Sequence, residues 1–102
     1  MIRRLVAIVA AAGLLGCATV QSGALTLDRG HADADFASVK TRAALDQRCP
    51  KDRLALTALR AETIDLAGGR RATRIEVDGC GKQAVYVRRE AGRWVWLVPG
   101  VE

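Results

Sequence analysis

The sequence predicts an α+β domain, with one N-terminal helix packed on a small antiparallel sheet of three to five strands. Three observations carry this expectation. Apolar residues recur at helical spacing between positions 32 and 43. Apolar and polar residues then alternate with a period near two from position 54 onward, and glycine-rich breaks separate the alternating runs. At 102 residues the chain has room for a single domain.

The helix comes first. Asp33 or Asp35 offers a cap, and Ala32, Phe36, Val39 and Ala43 follow at intervals of four, three and four, which places them on one face. Lys40, Arg42 and Asp46 point elsewhere, and Leu45 falls beside the stripe. Pro50 stops the helix at Arg48 or Cys49. Beyond it Leu54, Leu56 and Ala58 alternate with Ala55, Thr57 and Leu59, which is a strand pattern. The alanines and leucines of 52–62 also suit a helix, so both readings stay open there.

Ile64 and Leu66 have the spacing to extend the sheet beyond a turn, and Gly68-Gly69 breaks the chain. Thr73, Ile75 and Val77 then line one face of a strand with Arg74 and Glu76 on the other. Asp78-Gly79-Cys80-Gly81 reads as a tight turn into a partner strand over 83–88. Glu90-Ala91-Gly92 turns the chain again into 93–98, and Pro99 ends that run. Trp94 and Trp96 lie two apart and face the same way, as core or helix-packing residues.

The N-terminus carries a different kind of signal. Met1-Ile2-Arg3-Arg4 is a short positive segment, and the eleven residues from Leu5 to Leu15 are apolar or glycine. That length matches the hydrophobic core of an export signal and falls short of the ~20 apolar residues that span a bilayer. Leu14-Leu15-Gly16-Cys17 resembles the lipobox of bacterial lipoproteins. The resemblance implies that residues 1–16 are a cleaved signal peptide and that Cys17 is lipidated, which would make the lipid membrane the chain's first partner. Two or three acyl chains, at about 0.8 kcal/mol per buried CH₂, hold durably where one binds reversibly. Ala18 stands where an Asp retains such proteins in the inner membrane, so the resemblance points to the periplasmic face of the outer membrane, with the inner membrane as the open alternative. Residues 17–32 are small, polar and Gly-rich without sustained periodicity, and read as the lipidated Cys and a flexible tether. Leu25 and Leu27 have the spacing of a short edge strand within it. The folded domain is then expected over 33–102.

Charge and cysteine count narrow the function. The whole chain has a formal net charge of +5, and without Arg3 and Arg4 it has 14 basic against 11 acidic residues, or +3. This is well short of the Lys/Arg density of a nucleic-acid-binding surface, so no nucleic-acid partner is expected. With Cys17 assigned to lipid, Cys49 and Cys80 remain, and two cysteines in an exported chain most economically form one disulfide. A metal site would need more thiolate or imidazole ligands, and His31 is the single histidine. A redox pair is usually Cys-x-x-Cys, and these two lie 31 apart.

Cys49-Pro50, followed by Gly79-Cys80-Gly81-Lys82-Gln83-Ala84-Val85-Tyr86-Val87, resembles a small domain of uncharacterised proteobacterial lipoproteins and exported proteins. That domain often has a further Cys where this chain has Arg88. The likeness implies architecture, a helix ending in Cys-Pro followed by strands, and nothing about chemistry.

No reactive constellation emerges. His31 falls in the expected tether with no nucleophile beside it, and Gly68-Gly69-Arg70-Arg71 lacks the Lys-Ser/Thr ending of a phosphate loop. No catalytic residue, cofactor, metal or small-molecule substrate is assigned. Arg70, Arg71 and Arg74 enter one strand, while Arg88, Arg89 and Arg93 close the next and open the last. In a hairpin-ordered sheet the two groups fall at one end, opposite the Gly-Cys-Gly turn, as a patch for anionic lipid or an acidic envelope protein. The expected function is a non-enzymatic, membrane-tethered accessory or interaction domain of the cell envelope. The alternatives are an inhibitor of an exogenous hydrolase, lysozyme or protease, and then an enzyme with an unrecognised site.

Overall fold

The computed structural model describes residues 18–64 and 69–98. Strands β1 (Thr19–Ser22) and β2 (Leu25–Asp28) form a two-stranded hairpin that leads directly into helix α1 (Arg29–Gln47). Strands β3 (Ala55–Thr63), β4 (Arg70–Gly79), β5 (Lys82–Arg88) and β6 (Trp94–Trp96) form an antiparallel sheet in chain order. This is the expected α+β class, with a second small sheet added.

The expected tether is the largest departure. The fold begins at Thr19 rather than Asp33. Val20 and Leu25 pack against the core, Leu27 is fully buried, and the Ser22 hydroxyl accepts the Ala58 N–H of outer strand β3 at 2.8 Å. Leu25 and Leu27 form the short strand their spacing suggested, whereas Thr19–Ser22 has too few apolar residues to stand out in sequence. The two strands are stable here because β3, β4 and the helix cover them.

The helix also starts earlier than Asp33. Asp28 is its cap, with extended backbone (φ −63, ψ 125) and a carboxylate that accepts the His31 N–H at 3.1 Å. His31, expected to be a solvated tether residue, sits in the first turn with Nδ1 at 2.8 Å from the same carboxylate. These two hydrogen bonds hold the Asp28 carboxyl below its ordinary range. Ala32, Val39 and Ala43 are buried as the stripe predicts, and Phe36 packs at its margin. Leu45 is 75% exposed. At the far end Arg48 is left-handed (φ 51, ψ 52) and the Cys49 N–H returns to the Ala44 carbonyl at 3.1 Å. This C-terminal turn directs Cys49 toward the sheet just before Pro50 takes the chain away.

Residues 55–63 are strand, which settles the open reading. Leu54 and Ala58 are buried and Leu56 packs against the core. The β3–β4 register runs Ala58↔Ile75, Arg60↔Arg74 and Ala61↔Ala72, so Leu59 and Thr73 are each bulged out of the pairing. The bulge shifts the phase of β4. Ile75 and Val77 face the core as expected, but Ala72 is the next buried residue instead of Thr73.

The β4–β5 connection is a two-residue turn with Gly79 opposite Lys82 and positive φ at both Cys80 (51) and Gly81 (73). Such φ values match the twist of a hairpin, and glycine adopts them without strain. A Cβ at Gly79 would stand 2.7 Å from the Arg53 carbonyl and from Leu54 Cδ2, so only glycine lets the turn lie against that segment. Cys80, at the tip, is bonded to Cys49, joining the helix exit to the hairpin. The core that results includes Leu27, Val39, Ile75, Val77, Tyr86 and Trp94, while Trp96 at the sheet margin remains 38% exposed.

Candidate functional site: an arginine pole

The helix lies along the sheet in a defined direction. Near its start Asp35 receives Arg71, and near its end Asp46 receives Tyr86 and the Gln47 carbonyl receives Lys82 Nζ. The Gly79–Lys82 turn and the disulfide therefore mark one pole of the molecule. The opposite pole is where β3 leads to β4 and β5 leads to β6. Arg74 pairs across to Val87 and Arg88 to Trp94, which brings the 70–74 and 88–93 groups to that pole together.

The six arginines have different environments. Arg71 is engaged internally, with Nε 3.0 Å and a terminal nitrogen 2.9 Å from the two oxygens of Asp35, whose residue is 3% exposed. This bidentate contact raises the Arg71 pKa above its ordinary value. Asp35 is thus the buried half of an ion pair and not a helix cap. Arg88 pairs with Glu62 and also donates to the Ala72 carbonyl at 3.3 Å, so it too braces the sheet end. Arg70 stands opposite Thr63, and Arg74 opposite Arg60. Arg89 and Arg93 are exposed and flank a short loop in which the Arg89 N–H donates to the Arg93 carbonyl at 2.7 Å.

An open groove of about 740 Å³ lies at this pole, lined by Arg88, Arg89, Arg93, Glu62, Glu90, Thr73 and Val95. Thr73 reaches it because the bulge removes that side chain from the core face. Among the described residues no carboxylate lies within ion-pair distance of Arg60, Arg70, Arg74, Arg89 or Arg93. Arg60 was not legible as a member of this group, since only the β3–β4 register places it beside Arg74. Like charges directly opposite each other across a strand pair are unfavourable, and a bound anion relieves them. Guanidinium forks suit the oxygens of phosphate or carboxylate.

No family model, curated protein or solved structure matches the chain. Cys17 lies outside the described residues, and Cys49 and Cys80 are bonded to each other. Among the described residues no group of three His, Cys, Asp or Glu side chains is placed to hold a metal ion. No helix among them is long and apolar enough to cross a membrane.

Proposed function

We propose that the protein is a lipoprotein of the cell envelope, anchored through Cys17. In this reading it is a non-enzymatic accessory domain whose arginine pole meets an anionic partner. The observation that carries the reading is the order at the N-terminus: Arg3-Arg4, the apolar run to Leu15, and Leu14-Leu15-Gly16-Cys17. The disulfide between the other two cysteines supports it, because such a bond persists in an oxidising compartment outside the cytosol. Assigning Cys17 to lipid leaves those two as a matched pair. On the domain, the uncompensated arginines at one pole support contact with an anionic surface or an acidic protein.

The test is metabolic labelling with a fatty acid in a bacterial host, followed by extraction of membranes. The wild-type chain should carry label on a fragment beginning at Cys17, and Cys17→Ser should abolish the label and leave an unprocessed precursor. Normal acylation of the Cys17→Ser chain would remove the anchor.

A further inference from the structure

The chain enters the fold at the arginine pole. The Ala18 carbonyl accepts the Arg29 N–H at 3.1 Å, and Thr19 pairs with Asp28, so residue 18 lies beside the first turn of the helix. Arg29 precedes Asp35 by six residues, which at 1.5 Å per residue carries it about 9 Å beyond the Arg71 contact, away from the disulfide. Cys17 comes immediately before Ala18 in the chain. One extended residue spans at most about 3.6 Å, so nothing in the sequence could lift the domain off a lipidated Cys17.

We infer that the arginine pole rests on the bilayer that holds the acyl chains, with Arg60, Arg74, Arg89 and Arg93 against anionic phospholipid headgroups. This rests on the anchor at Cys17. Among the described residues the carboxylates at that pole do not balance its cations: Asp28 is engaged by His31, Asp35 by Arg71 and Glu62 by Arg88, which leaves Asp33 and Glu90 to oppose the five arginines that have no carboxylate within ion-pair distance there. An acidic protein offers the same charge, but the point of chain entry brings this pole to the membrane first. Each arginine within a Debye length of an anionic surface strengthens the contact about fivefold, and salt screens it.

The acylated mature protein, purified from membranes, would be reconstituted into vesicles of phosphatidylcholine with and without phosphatidylglycerol. Amide hydrogen exchange is then compared between the 60–74 and 89–93 segments and the 79–82 turn at the opposite pole. Exchange at the arginine pole should slow several-fold only with phosphatidylglycerol, and the turn should not change. High salt should reverse the effect, as should Arg89→Glu combined with Arg93→Glu, two exposed positions whose replacement leaves the core intact. Equal exchange in both vesicles on a chain whose Cys17 mass shows acylation would overturn the orientation and leave the anchor standing, and this holds even if an acidic protein is captured through the same arginines. A Cys17 mass without acyl groups would overturn both.

Discussion

Tyr86 shows how the core is linked to the helix at the level of one side chain. The residue is fully buried, and its hydroxyl donates to Asp46 at 2.8 Å. Burial first, and then the neighbouring carboxylate, push the phenol up to about 12 from its ordinary 10. A raised pKa on an acid favours the neutral form in the folded state. The contribution is therefore fully present below pH 10 and is lost as pH rises through about 12. As the chain has one tyrosine, tyrosinate absorbance reads this group alone. It should appear only near pH 12 or together with unfolding, and a reversible titration at 10 in the folded protein would contradict the burial. At the other pole, Arg71→Ala strands the Asp35 carboxylate in the core. Urea unfolding should then show a loss of about 3 kcal/mol. The Asp35→Ala/Arg71→Ala double variant should lose less than the two single changes summed, because no unpaired charge is left buried. Sequence could not reveal this pair. Asp35 has the spacing of a helix-start acid, and its partner stands 36 residues away.

The elements themselves were largely legible, and the exceptions share a cause. The stripe Ala32, Val39, Ala43 and the strands around Ile75, Val77 and Tyr86 each announce their buried face through local periodicity. The bulge at Leu59 and Thr73 does not, because a bulge is a property of two strands in register and not of either alone. The Gly79-Cys80-Gly81 turn lies between these cases. Its glycines mark a hairpin, but the close approach of Gly79 to Arg53 and Leu54 exists only in the folded chain. The disulfide that this turn presents closes a loop of 31 residues. Removing both cysteines, Cys49→Ser with Cys80→Ser, should reduce unfolding free energy by about 3–4 kcal/mol in the chain-entropy view. Equal urea midpoints for the oxidised and doubly substituted proteins would show that the bond adds nothing.

At the scale of the whole molecule, the main consequence is that residues 19–28 belong to the fold and are not a spacer. Deleting a spacer would leave the melting temperature unchanged. Deleting this hairpin should instead expose the core around Leu27 and remove the Ser22 partner of the Ala58 N–H. Leu27 burial alone contributes about 1.5–3 kcal/mol, so calorimetry should register a large drop or no cooperative transition. The sequence by itself determined the class, one helix and an antiparallel sheet, and the turns at 78–81 and 90–92, because periodicity and glycine placement are local properties. The Cys49–Cys80 pairing was expected only by setting Cys17 aside on its lipobox resemblance, and the structure shows the bond itself. Tertiary structure alone decided that the hairpin precedes the helix, that Arg71 pairs with a buried Asp35 and Arg88 with Glu62, and that Arg60 stands beside Arg74. It also put the entry of the chain and the free arginines at one pole. Each of these depends on contacts between segments far apart in sequence, where a charge looks the same on paper whether it is solvated, buried in a pair or left without a partner.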